Sequence, residues 1–220
     1  SGHRQYTIYT AAAPEYGKSS FLGHLEQEIR CIKDRFPNAH YIGIADGAKS
    51  HWCFLKKHTE YQTLDFFHVS EYIGAVSHAL FPDDEKQQEL WLEDRLHRLK
   101  HKKGAATRLL RELEAADLPK KTTAYVEKLY KAITYIKNNH TLMRYYQSVN
   151  KNWPIGSGVT EAACKTLVKQ RLCGAGMRWK HQSAAMILGI RALSQTKERW
   201  EQFWNRFMAE DKANIPVSAF

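Results

Sequence analysis

Two carboxylates draw attention by where they fall in the chain. Asp46 closes the apolar run Tyr41-Ile42-Gly43-Ile44-Ala45 and begins an Asp-Gly pair. Glu161 follows the turn Gly156-Ser157-Gly158 onto a predicted helix that carries Lys165 and Lys169, with Arg171 and Arg178 beyond. Each residue has an ordinary explanation alone: a turn aspartate for Asp46 and a favourable first-turn helix acid for Glu161. Together, in a basic chain, they can act as oxygen ligands for divalent ions that support phosphoryl transfer between nucleic-acid strands. Such ligands come from distant parts of a chain, so their separation in sequence is free. Asp65-Phe66-Phe67-His68 is a third candidate. On a strand, residues 65 and 68 face opposite sides, which suits a structural hydrogen bond better than chelation of one ion.

The remaining titratable residues add little. The histidines form no HExxH pattern, and GxSxG, GxxxxGK[ST] and GxGxxG are absent from the sequence. Cys31, Cys53, Cys164 and Cys173 form no CxxC pair and no zinc-site spacing, so they read as buried free thiols, in keeping with a reducing cytosol. The net charge of +10 favours a polyanionic partner. The 43% apolar content, with six Trp, eleven Tyr and nine Phe, is enough for a substantial core. No apolar run is long enough to span a bilayer, and Ser1-Gly2-His3-Arg4-Gln5 lacks a signal-peptide core.

The elements that must position these residues begin with Tyr6–Thr10, β-branched and aromatic, read as a strand. A loop with Pro14 and Gly17 leads to an amphipathic helix from about Phe21, stopped by Pro37-Asn38. Tyr41–Ala45 reads as a buried strand ending at Asp46, and Tyr61–Val69 as a third strand after irregular sequence. From Glu71 to about Asn150 the periodicity is helical, with a start at Phe81–Glu85, helices over about 105–116 and 119–138, and a shorter one after that. The basic helix bearing Glu161 runs to about Leu172. A last amphipathic helix covers about His181 to Met208, and the tail from Asp211 is expected to be loose.

Four stretches carry a resemblance: Tyr9–Glu15, Gly43–Ala48, Leu64–His68, and Pro154–Lys165 with its continuation Arg171–Trp179. Over nearly the whole chain they resemble the DDE transposases of bacterial insertion sequences, of the Kra type, and the last stretch is the most specific. The resemblance implies an RNase H-like α/β fold, a mixed sheet with flanking helices interrupted by an all-α insertion. It divides the chain into a partial core (1–70), a helical insertion (71–150) and a Glu-bearing helix that completes the core, with a C-terminal helix (151–220). It assigns Asp46 to the second Asp of the triad and Glu161 to its final Glu, both metal ligands. Asp65 and His68 match an Asp-x-x-His signature that marks the following strand. The cofactor implied is Mg²⁺ or Mn²⁺ at a two-ion site, expected only in the complete protein. The partners implied are transposon-end and target DNA and further copies of the chain, with no membrane, in a bacterial cytoplasm at the nucleoid.

The resemblance also places the first Asp on a strand ahead of Tyr6, so the N-terminal strands and the first catalytic Asp are expected to be missing. Strand-transfer assays on this chain alone should then show nothing. Two other readings compete: a DNA-binding or assembly remnant without chemistry, and a standalone nuclease using Asp46, Asp65 and Glu161. For DNA contacts, Lys165 and Lys169 fall near the Glu161 side of the helix, four and eight residues on, and Arg171 extends that basic run. Arg178 and Trp179 can stack on an unpaired base or anchor the core. The run from Arg95 to Lys103 reads as a solvated face that also contacts phosphates.

Overall fold

The computed structural model describes residues 7–12, 17–115 and 124–213. It divides into two compact units, Asn38–Gly158 and Gly2–Pro37 together with Val159–Phe220.

In the first unit, β1 (Ile42–Ala45) and β2 (Tyr61–Leu64) pair in parallel, Ile42 opposite Tyr61 and Ala45 opposite Leu64. Parallel neighbours need a crossover, and α2 (Lys49–His58) supplies it, burying Trp52. α3 (Phe66–Leu80), α4 (Glu85–His101), α5 (Ala105–Ala115), α6 (Ala124–Asn139) and the short α7 (Tyr145–Asn150) follow. The core forms where α3 packs on α4 and α6. Val69, Ile73 and Val76 recur along one face of α3 and are fully buried, as are Leu129 and Ile136 of α6. Tyr145 meets the Phe66 ring edge-on at 5.0 Å.

The second unit is built from α1 (Gly17–Arg35), α8 (Gly158–Ala163), α9 (Gln170–Leu172), α10 (His181–Gln195) and α11 (Lys197–Ala213). Between α8 and α9 the backbone of Cys164–Lys169 opens into a π-helix. The wider turn disturbs the normal carbonyl pairing, and the Arg191 guanidinium of α10 donates to the Thr166 and Leu167 carbonyls. Arg199 of α11 donates a forked pair of hydrogen bonds to the Glu28 carboxylate of α1.

The expected RNase H-like mixed sheet is not formed. The described residues are mostly helical and contain two short strands, both parallel. Two of the predicted strands fail for different reasons. Residues 7–10 have no strand partner among the described residues, and a β-prone segment without a neighbouring strand lacks the ladder that would make it one; Tyr6, Pro14 and Glu15 lie outside the described residues. The predicted strand over Tyr61–Val69 stops at Leu64, because Asp65 caps a helix that begins at Phe66. The segment read as irregular after Gly47 is α2. The last helix is interrupted at Thr196, which separates α10 from α11. The start predicted at Phe81–Glu85 is found, with Asp84 Oδ1 accepting from the Gln87 N–H at 2.9 Å. The predicted starts near Phe21 and Pro119 give way to a helix from Gly17 and to a described start at Ala124; Pro119 lies outside the described residues. Of the predicted loose tail, α11 takes in residues up to Ala213. No described helix is long and apolar enough to cross a membrane. The four cysteines are free, but exposed and not buried.

Candidate active site at the ends of the paired strands

In a parallel pair with this register, the two residues that follow the strands emerge at the same end. They are Asp46 and Asp65, and the Asp65 N–H donates to the Ala45 carbonyl at 2.9 Å. The C-terminal edge of parallel strands is where α/β layers place reactive groups. The two carboxylates have different surroundings.

Asp65 is buried, 3% exposed. Its Oδ1 accepts from the Phe67 N–H at 3.0 Å, capping α3, and its Oδ2 accepts from the Ser157 hydroxyl. The Phe66 N–H also donates to the Ile155 carbonyl at 2.9 Å. Gly156 lies against the Phe67 ring so closely that a Cβ there would stand 2.6 Å from two ring carbons. The stretch Ile155-Gly156-Ser157 is therefore fastened to the start of α3. Gly156 is needed for the close approach, and Ser157 supplies the second donor to Asp65. With each oxygen accepting a hydrogen bond inside the protein and the side chain 3% exposed, Asp65 is less available to a metal ion than Asp46.

Asp46 is half exposed. Its Oδ1 accepts from the Ala48 N–H at 3.3 Å and contacts His51 Nδ1 at 3.1 Å. Its Oδ2 has no protein partner among the described residues. Partial burial opposes ionisation, but the Ala48 N–H and His51, with His68 at longer range, outweigh it and hold the carboxyl below its ordinary value. Asp46 thus fits a divalent ion as a hard oxygen donor. Among the described residues, no group of three or more His, Cys, Asp or Glu is placed to hold a metal ion.

The Asp46 turn is held from α6. The Tyr135 hydroxyl donates to the Asp46 carbonyl at 2.7 Å. Gly47 has φ +101°, which disfavours other residues, and a Cβ on it would meet Tyr135 and Asn139 atoms at 3.2 Å. Tyr135 stacks on Tyr72 at 4.0 Å, and the His68 ring stands edge-on to both. Burial first, then Tyr72 and the Asp46 and Asp65 carboxylates, push the Tyr135 phenol far up, so it remains a donor. His68 also faces Glu71 at 3.6 Å.

In the second unit, Glu161 lies in the first turn of α8 and is exposed. Lys165, Lys169, Arg171 and Arg178 are exposed and make no ion pair among the described residues, and Trp179 is 37% exposed. The expected four-and-eight spacing of Lys165 and Lys169 from Glu161 does not carry through, because Cys164–Lys169 is π-helical and needs more residues per turn. The structure thus brings Asp46, Asp65 and His68 together within one unit. Ser157, His51, Tyr135 and Arg191 are contributors that sequence reasoning missed. Only Ser157 carried a signal, as the polar residue between two glycines.

The His51 contact has a pH consequence. Because the folded-state value of Asp46 is lowered, its favourable contacts act above the ordinary carboxylate range and fade as pH falls through the folded value. The stability involved is small, since the pair is half exposed. Replacing His51 with alanine should move the Asp46 titration upward, towards its ordinary value, in carboxyl-carbon NMR. An unmoved titration would remove His51 as a cause.

No protein-family model, curated protein or solved structure matches this chain.

Proposed function

We propose that the chain is part of a transposase that cuts and joins DNA strands with divalent metal, in which Asp46 and Glu161 are the metal-binding carboxylates. The observation that carries this reading is the convergence of three separated stretches in Asn38–Gly158. Gly43–Ala48 brings Asp46, Leu64–His68 brings Asp65, and Pro154–Gly158 is bound to Asp65 through Ser157. These are stretches on which the resemblance to Kra-type DDE transposases rests, and the last leads directly into the helix of Glu161. Asp46 is the accessible member, while Asp65 holds the neighbouring segment in place. Mg²⁺ or Mn²⁺, when bound, would stabilise charge on the attacking and leaving oxygens. The exposed cations Lys165, Lys169, Arg171 and Arg178 support phosphate binding and Trp179 supports base stacking, with transposon-end and target DNA as partners in an assembly of several copies.

The test is strand transfer by the transposase that contains this chain, with Asp46→Asn and Glu161→Gln. Both should lose joining activity and keep DNA binding. Normal joining by either variant would contradict the assignment of that residue.

A further inference from the structure

The basic run of α4 divides once its partners are identified. Arg95 pairs with Asp94 and with Glu112, and Arg98 pairs with Asp94 at 2.9 Å. Lys100 lies over the Phe66 ring at 4.6 Å. Those charges are committed within the protein. Lys102 and Lys103, just past α4, have no carboxylate partner among the described residues, and neither has Arg144, just before α7. The Arg144 Nε–H donates to the Thr141 carbonyl at 3.2 Å, which orients the guanidinium while its terminal nitrogens have no protein partner among the described residues.

These three cations converge. With His140, Thr107 and Gln147 they line a cleft of about 520 Å³ between the α4–α5 turn and the segment leading into α7. Among the described residues, no Asp or Glu lines it. Like charges gathered in one concavity repel one another, and the arrangement concentrates polyanions. The hydroxyl of Thr107 and the amide of Gln147 add uncharged donors suited to phosphate oxygens.

We propose that this cleft binds the phosphodiester backbone of duplex DNA. That the polyanion is DNA rests on the transposase reading; the convergence of the cations does not. The cleft lies in the helical part of the first unit, and the cations near Glu161 belong to the second.

The experiment measures binding of the 220-residue chain to a short fluorescent duplex over a series of salt concentrations. The variant Lys102→Ala/Lys103→Ala/Arg144→Ala should make the log–log salt slope shallower by about 2–3. Lys102→Arg/Lys103→Arg should keep the wild-type slope. A charge-matched control, Lys56→Ala/Lys57→Ala/Lys86→Ala, should change it by less than the cleft variant. If the triple cleft variant loses its circular-dichroism melting transition, Arg144→Gln alone takes its place, with an expected slope change of about 1. A slope unchanged in the cleft variants, an equal change in the control, or no binding by wild type would overturn the proposal. Wild-type binding that ignores the cleft leaves the transposase reading standing. A cleft-dependent slope, beside an Asp46→Asn transposase that still joins strands, keeps the cleft and removes that reading.

Discussion

Asp65→Ala should destabilise the first unit by about 2 kcal/mol, one of the two largest effects expected of any single change at this site. Two losses combine. The cap on α3 disappears, at a cost of roughly 1 kcal/mol, with a range of about 0.5–2. The Ser157 hydroxyl then loses its acceptor in a half-buried place, a further cost of about 1 kcal/mol. The two contacts share one carboxylate, so the losses are coupled, and Ser157→Ala in the Asp65→Ala background should cost less than in wild type. Urea unfolding of the four members of that cycle measures the coupling, with an unchanged dependence on urea as the check that compactness is retained. A fully additive cycle would mean that Ser157 does not depend on Asp65. Asp65→Asn retains an acceptor and should be milder. If Asp65→Asn leaves the fold intact yet abolishes strand joining as completely as Asp46→Asn, the alternative in which Asp65 is a catalytic carboxylate takes over.

The second large effect is the opposite in kind. Asp46→Asn should lower strand-joining activity by about a thousand-fold or more while changing stability by less than about 1 kcal/mol. The side chain is half exposed, and an amide oxygen can still accept from the Ala48 N–H. Exposed contacts of this sort contribute little to folding. The chemical step depends on charge, and a carboxylate that holds a divalent ion supports several kcal/mol of transition-state stabilisation, each 1.36 kcal/mol being a factor of ten in rate. Neighbouring residues at one strand edge are thus predicted to fail differently, Asp65 in stability and Asp46 in turnover. Steady joining rates for Asp46→Asn would separate the residue from the chemistry.

The legible parts of the chain were those fixed by local rules. Asp46 at the end of an apolar run and the start of α4 after Phe81–Asp84 follow from short-range patterns; Gly156-Ser157-Gly158 reads as a turn by composition, yet Gly156 and Ser157 form none and α8 begins at Gly158. The fold class was not legible, because β-propensity states only what a segment can do if a partner is present. Thr7–Thr10 has the composition of a strand and pairs with none among the described residues. Phe66-Phe67-His68-Val69 looks like a strand until Asp65 is seen to cap it, after which Val69 repeats with Ile73 and Val76 on a buried helix face. α2 was hidden by its many lysines and histidines, with Trp52 alone buried. By type the cysteines read as core residues, yet Cys31, Cys53, Cys164 and Cys173 all fall on exposed helix or turn positions. The clamp on Asp46 could not be read either. Tyr135 is 89 residues away and has the ordinary look of a helix aromatic; only the packing of α6 puts its hydroxyl on the Asp46 carbonyl.

The most direct test of the central claim is a change of metal preference at Asp46. In the proposed transposase, Asp46→Cys replaces the proposed hard oxygen ligand with a soft sulfur. Mg²⁺ binds thiolate poorly and Mn²⁺ accepts it better. Joining by the cysteine variant should be lost with Mg²⁺ and recovered in part with Mn²⁺, while wild type works with both. Full activity of Asp46→Cys in Mg²⁺ would contradict a metal-binding role for Asp46, and so would a variant equally inactive with both ions although folded and bound to DNA.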